Sequence, residues 1–235
     1  MNITETLAQE LNLRPEYVEN VISLLDEGNT IPFIARYRKE MHGSMDDQVI
    51  RQLSDRVTYL RGLEKRKEDV MHAISEQGKL TDALKKSIES ADTLTAVEDL
   101  YLPFRPKRKT RASAARAKGL EPLATRLIVG TKQSVEALAQ EFVSAEQEVN
   151  TWQDALSGAM DILAEDCSVN AALRGHLRAL IRNTGELVSS GKEVEKTVYE
   201  KYGAFSSPIR RIQSHQVLAL NRGEREKLLK VEVVC

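Results

Sequence analysis

The stretch from Ser44 to Gln77, SMDDQVIRQLSDRVTYLRGLEKRKEDVMHAISEQ, decides the fold class of this chain. Its apolar residues recur every three or four positions, which places them on one face of an α-helix. They are Val49, Ile50, Leu53, Val57, Leu60, Leu63, Val70 and Ile74. Ser44 with Asp47 three residues later predicts the helix start, and Gly78 predicts its end. Because charges crowd the opposite face, we expect this helix to project or to bridge other elements.

Shorter helical patterns lie on both sides of the long one. On the N-terminal side the apolar spacing predicts helices at 3–11 and 15–27, then a short mixed segment that ends near Gly43. Short helices joined by tight turns indicate helix-turn-helix-like elements. On the C-terminal side we expect helices at 81–91, 95–102, 112–118, 123–129 and 134–142.

A second long helix is predicted from Trp152 to Ile181, with a kink near Asn170. We expect its core-facing side to carry Leu156, Met160, Leu163, Leu173, Leu177 and Leu180. Beyond Gly185 the pattern predicts a strand at 187–189, a helix at 194–202, a loop at 206–208, a helix at 214–222 and a strand at 228–234. Because no other strong strand is available to pair with the last one, we expect the chain to be part of a longer protein.

The composition is that of a folded, mainly α-helical chain. Hydrophobic residues make up 41% and charged residues 29% of 235 residues, and the formal net charge is −1. No global positive field therefore attracts nucleic acid, and any such binding must come from local patches. The two cysteines, Cys167 and Cys235, form no disulfide framework, and we find no signal peptide and no apolar run long enough for a membrane span. These features indicate a cytoplasmic location, without membrane partners.

No catalytic or metal-binding constellation is recognisable in the sequence. The four histidines, at 42, 72, 176 and 215, are dispersed, and no carboxylate or cysteine accompanies them at metal-ligand spacing. Phosphate-binding loops and nucleophile motifs are also absent from the sequence. We therefore expect no enzymatic activity, no metal and no cofactor.

Two clusters of cations are candidate phosphate contacts. The first has five cations in seven residues with no acid between them, and two prolines stiffen its approach; it comprises Arg105, Lys107, Arg108, Lys109 and Arg111. The alternative is a solvated loop or an anchor for an acidic surface of the same protein. The second comprises Arg36, Arg38 and Lys39, which could either contact phosphates or form ion pairs with Glu27, Glu40 and Asp46.

Three segments resemble the N-terminal region of the Tex family of bacterial transcription accessory proteins. They are LLDEGNTIPFIARYRKE at 24–40, ISEQGKLTDALKKSI at 74–88 and TAVEDLYLPFRPKRKTRA at 95–112. Later pieces, such as GLEPLA at 119–124 and SHQVLALNRGEREKLLKV at 214–231, are similar to that family in the same order. The chain differs from familiar members at Met41–Ser44 and between residues 129 and 150.

The resemblance implies a place in a larger molecule. Tex proteins continue into a ribonuclease-H-like domain of the resolvase type, a helix-hairpin-helix region and an RNA-binding OB fold. Residues 1–186 would then be the Tex-like helical region, and 187–235 a segment that leads into the resolvase-like domain. The implied function is nucleic-acid binding through the basic loop, with RNA favoured over DNA. The alternative is a scaffold that positions the later domains of its own longer chain or docks transcription machinery.

Overall fold

Thirteen α-helices and one three-stranded sheet make up most of the regular structure in the residues that the computed structural model describes. Those residues are 2–105, 109–130, 132–191, 194 and 197–235. They form two compact units, one that ends at Phe104 and one that begins at Arg105. The predicted fold class, mainly helical with a short β segment near the C-terminus, is confirmed. A domain boundary at residues 186 and 187 stays a prediction.

The first unit is built around its longest helix. Its helices are α1 (Ile3–Leu11), α2 (Pro15–Asp26), α3 (Ile31–Tyr37), α4 (Lys39–His42), α5 (Asp47–Glu76), α6 (Asp82–Glu89) and α7 (Leu94–Tyr101). The helices α1, α2, α3, α6 and α7 all pack on α5. Of the eight apolar residues predicted to share a face of α5, only Val49 is not buried. Of the two expected arrangements, bridging is the one observed, because five helices cover the apolar face of α5 while most of its charged residues stay exposed.

The start of α5 also differs from the prediction. Asp46, not Ser44, is the N-cap residue, and its Oδ1 accepts a hydrogen bond from the backbone N–H of Val49 at 2.8 Å. Ser44 instead has a left-handed backbone, with φ of 62°, in the turn that precedes the helix. An aspartate at this position satisfies a free N–H and also favours the positive end of the helix dipole.

A helix of eighteen residues organises the first part of the second unit. The helices of this unit are α8 (Arg111–Ala117), α9 (Glu121–Val129), α10 (Val135–Gln140), α11 (Trp152–Val169), α12 (Ala171–Thr184) and α13 (Ser214–Arg225). Helices α8, α9 and α10 pack on α11, whose buried face consists of Ala155, Ala159 and Ile162. A Cβ at Gly158 would overlap the Leu120 side chain, so the small residue permits this close packing.

The predicted second long helix is two helices, divided at the residue where a kink was expected. Asn170 has an extended backbone, and its Oδ1 accepts a hydrogen bond from the N–H of Leu173 at 2.9 Å, which begins α12. The core-facing assignment was wrong for four of its six residues. Met160, Leu173, Leu177 and Leu180 are between 40% and 57% exposed. Helix α12 therefore presents an apolar stripe that nothing in the described chain buries.

The sheet lies after α12 and contains three antiparallel strands. These are β1 (Glu186–Ser190), β2 (Ala204–Pro208) and β3 (Lys230–Val234), in the spatial order β2-β1-β3. Val188 is opposite Ser206 on one side and Glu232 on the other. The expectation that the last strand lacks a partner in this chain was wrong, because β1 pairs with it along five residues.

Two further predictions near the sheet were wrong. The segment 206–208, expected to be a loop, belongs to β2. The predicted helix from Val194 to Tyr202 contains only a 3-10 turn at Glu200–Tyr202 in its described part, while residues 195 and 196 lie outside the described residues. The segment 206–208 is a strand because its residues pair with β1, which the local turn residues do not show.

Candidate nucleic-acid interface

The sequence from Ile31 to Gly43 folds into a corner made of the two short helices α3 and α4. Pro32 lies in the first turn of α3, where its missing N–H leaves no helical hydrogen bond unmade. Arg38 leaves the helical backbone region between the two helices, and Gly43 ends α4 with φ of 62°. A Cβ at Gly43 would overlap the ring of Tyr17 on α2, so glycine is required here by both conformation and space.

Two hydrogen bonds hold this corner in place. Asn20 on α2 donates from Nδ2 to the carbonyl oxygen of Met41 at 3.0 Å. His42 is fully buried, and its Nε2 donates to the carbonyl oxygen of Ile34 at 3.1 Å. Its Nδ1 is buried and has no hydrogen-bond partner among the described residues. The backbone that carries the nearby cations is therefore fixed by buried contacts.

The cations of this corner carry no neutralising partner. Arg36 and Lys39 are exposed, and Arg38 is half-buried. Within the described ranges, no carboxylate oxygen lies within 4.0 Å of any of these three charged groups. The alternative ion pairs with Glu27, Glu40 or Asp46 are thus not formed. The structure brings these three predicted residues together in one continuous turn of chain.

Aromatic rings lie among these cations, and the sequence reasoning did not assign them a role. The rings of Phe33 and Tyr37 have centroids 5.3 Å apart, and the guanidinium carbon of Arg38 is 5.4 Å from the Phe33 centroid. Tyr37 is 59% exposed. The signal that could have found this arrangement is the four-residue spacing of the two aromatics, which places both on one face of α3.

The four arginines of α5 form ion pairs, in contrast with those of the corner. Arg56 contacts both carboxylate oxygens of Glu10, at 2.7 and 2.6 Å, and Arg61 contacts both of Asp26 in the same way. The hydrogen bond from Arg56 holds the pKa of Glu10 below its ordinary value. The corner cations therefore differ from the arginines of α5, each of which has a carboxylate partner.

The structure describes the basic loop only in part, and the helix that follows it begins with a well-formed cap. Lys107 and Arg108 lie outside the described residues. Arg105 and Lys109 are exposed, and Nε of Arg111 is 3.5 Å from the Asp161 carboxylate. After the loop, Thr110 and Ser113 form reciprocal side-chain hydrogen bonds that start α8. The described members of the cluster, Arg105, Lys109 and Arg111, therefore lie at the beginning of the second unit.

A cleft beside Arg111 is lined by more acidic than basic residues, which disfavours the binding of an anion. Its volume is 340 Å³, and it lies between α8, α11 and the segment before α11. Two cations, Arg111 and Lys118, line it together with three carboxylates. The carboxylates belong to Glu148, Asp154 and Asp161. With one more acid than base, this cleft is not an extension of the basic loop.

The described residues contain no cluster of three or more His, Cys, Asp or Glu side chains that could hold a metal ion. Among the helices of the described chain, none is both long and apolar enough to span a membrane.

Sequence comparisons assign known families to most of the chain. Residues 1–75 match the family described as Tex-like protein N-terminal domain. Residues 131–235 match the family described as Tex central region-like.

Individual relatives match nearly the whole chain. The transcriptional accessory protein Tex of Neisseria gonorrhoeae is 45% identical over 234 residues, which is 98% of this chain and 31% of that protein. The protein tex of Bordetella pertussis is 42% identical over 98% of this chain and 30% of its own length. The human S1 RNA-binding domain-containing protein 1 is 32% identical over 99% of this chain and 24% of its own length. The chain thus spans about a third of the length of its bacterial relatives.

Proposed function

Because this chain belongs to the Tex family, we propose that it is a nucleic-acid-binding segment of a transcription accessory protein, with RNA preferred over DNA. The name of the Neisseria relative describes a transcriptional accessory protein, and that of the human relative describes an S1 RNA-binding domain. The proposal concerns binding in the cytoplasm and includes no catalytic step.

The observation that carries this proposal is the unpaired charge at the α3–α4 corner. Arg36, Arg38 and Lys39 follow one another within four residues, and no described carboxylate offsets them. Like charges held this closely repel one another, and a row of phosphates removes that repulsion while it releases counterions. The corner is held by buried contacts, so little conformational entropy is lost when its cations bind.

We assign the basic loop an auxiliary part in the same binding. Lys109 is exposed and has no ion-pair partner in the described chain, whereas Arg111 already lies near Asp161. The loop assignment for Arg105, Lys107 and Arg108 stays a prediction from the sequence. In this proposal the three residues make additional phosphate contacts, and the main binding site is the α3–α4 corner.

Replacing Arg36, Arg38 and Lys39 together by glutamine is expected to weaken RNA binding and to reduce its salt dependence. Each lost phosphate contact lowers the slope of log affinity against log salt by roughly 0.7 for a single strand and 0.9 for duplex DNA. Titration of the full chain with RNA and DNA at several salt concentrations measures both effects. A second variant, with alanine at Lys107, Arg108 and Lys109, measures how much the basic loop contributes to RNA affinity.

The matched control neutralises three other cations of the first unit. Lys65, Lys79 and Lys86 are exposed and have no ion-pair partner among the described residues. Their triple glutamine variant has the same change in net charge, and we expect it to bind RNA almost as well as the unaltered chain. Equal losses in the corner variant and in this control would contradict a defined site at the corner.

A scaffold function is a second candidate, and the exposed face of α12 favours it. Leu173, Leu177 and Leu180 lie at helical spacing and are 40% to 46% exposed. Helix α12 also contains three arginines and no acidic residue. A helix that buries no apolar residue of its own gains stability from an apolar partner surface. We propose that the partner is the part of the longer Tex protein that this chain does not span, or transcription machinery.

The serine triple variant at Leu173, Leu177 and Leu180 is expected to abolish that association. The test co-expresses this chain with the unmatched remainder of the Neisseria gonorrhoeae relative as a separate polypeptide, and it measures their co-purification. The matched control is Ile128→Ser with Val129→Ser on α9, because these residues are 70% and 79% exposed. Association that survives the α12 variant, or that both variants remove equally, would contradict the scaffold proposal.

A further inference from the structure

The exposed aromatic at the α3–α4 corner is unusual for this protein. The chain contains eleven aromatic residues, one Trp, six Tyr and four Phe, and all of them lie within the described ranges. Tyr37 is the exposed one, and each of the other ten is buried or half-buried. It is also flanked by Arg36 and Arg38, and Lys39 follows two residues later. One accessible ring therefore coincides with the three unpaired cations.

The surroundings of Tyr37 hold its ring in a defined place. Phe33 lies one helical turn before it, with the two ring centroids 5.3 Å apart and the planes inclined at 45°. The Arg38 guanidinium lies 5.4 Å from the Phe33 centroid, within the range of a cation–π contact. The half-buried Phe33 thus supports one side of Tyr37, while solvent reaches the rest of the ring.

We infer that Tyr37, supported by Phe33, is a stacking site for an unpaired base of a single-stranded nucleic acid. This inference rests on the proposed function and names the ligand class of the same site. An aromatic ring can stack on any base that offers a free face, and cations beside it contact the phosphates on either side of that base. Bases inside a duplex have both faces covered by their neighbours, so the ring adds nothing to duplex binding.

The charge at the corner favours a nucleic acid over a protein as the ligand. Tyrosine and arginine are also enriched at protein interfaces, so the ring alone does not decide between the two. Three adjacent cations without a carboxylate partner in the described chain favour an anionic ligand with several regularly spaced charges. A single strand supplies such charges and a free aromatic face in each nucleotide.

The test compares Tyr37→Ala and Tyr37→Phe in the full chain. The probes are a short single-stranded RNA that contains a fluorescent adenine analogue and a hairpin RNA in which the same sequence is paired and a non-nucleotide linker replaces the loop. We expect Tyr37→Ala to weaken single-strand binding on the order of tenfold and to leave hairpin binding unchanged. Tyr37→Phe keeps the ring and is expected to retain both affinities. Quenching of the adenine analogue on binding, which reports stacking, is expected for the unaltered chain and for Tyr37→Phe only.

The corner variant without Arg36, Arg38 and Lys39 separates this inference from the proposed function. If that variant loses RNA affinity while Tyr37→Ala does not, the stacking site is wrong and the proposed function stands. If neither variant changes RNA affinity, both are wrong at this corner. An equal loss of single-strand and hairpin binding by Tyr37→Ala would also overturn stacking. Full RNA binding by Tyr37→Ala, with loss of a co-purifying protein, would assign the ring to a protein interface.

Discussion

Replacement of Lys67 by alanine is expected to lower the free energy of unfolding of this chain by about 3 to 5 kcal/mol. Lys67 lies on the buried face of α5 and is 3% exposed. Its Nζ donates to Oε1 of Glu64 at 2.9 Å and to the carbonyl oxygen of Glu89, at the end of α6, at 2.8 Å. The alanine variant removes both hydrogen bonds, leaves a cavity, and leaves the Glu64 carboxylate without this partner.

Two variants distinguish the reasons for this loss. Lys67→Met keeps most of the buried volume and removes the ammonium group, so we expect it to lose less stability than Lys67→Ala. Lys65→Ala changes an exposed lysine of the same helix and is expected to alter stability by about 0.5 kcal/mol or less. Urea unfolding followed by circular dichroism measures all three. A Lys67→Ala variant as stable as Lys65→Ala would refute the assignment of Lys67 as a core contact.

Replacement of Leu123 by alanine is expected to destabilise the second unit by about 2 to 5 kcal/mol. Leu123 on α9 has no exposed surface and belongs to the apolar cluster around α11. The alanine leaves a cavity that the surrounding residues of this closely packed cluster can fill only in part. The size of the loss within this range depends on how far they relax.

Leu177→Ala in the same unit is the matched control for that prediction. The substitution is chemically identical, but Leu177 on α12 is 45% exposed. We expect a loss of about 1 kcal/mol or less, because its side chain already contacts water. Urea unfolding of the two variants, followed by circular dichroism, measures the difference in their free energies of unfolding. Equal losses would show that α12 is packed in solution, and they would remove the observation on which the scaffold proposal rests.

At the candidate site, local sequence patterns predicted the cations but not whether acids neutralise them. The sequence identified Arg36, Arg38 and Lys39 as candidate phosphate contacts but left their pairing with acids undecided. The structure excludes that pairing within the described residues, and two carboxylates of the first unit, Glu10 and Asp26, bind arginines of α5. Glu10, for example, binds Arg56, which is 46 residues away. No local pattern predicts such a partner, because its distance depends on how α1 packs on α5.

The sequence by itself determined the helical class, the central long helix, the break at Asn170 and the Tex family. These depend on short-range spacing, on capping residues and on matched segments, all of which are local. Only the tertiary structure decided that five helices cover the apolar face of α5, that the leucines of α12 are exposed, and that the last strand pairs with β1. It also left the corner cations unpaired around an exposed Tyr37. The physical reason is that burial and ion pairing are set by elements far apart in the chain, and an amphipathic pattern does not show which elements cover it.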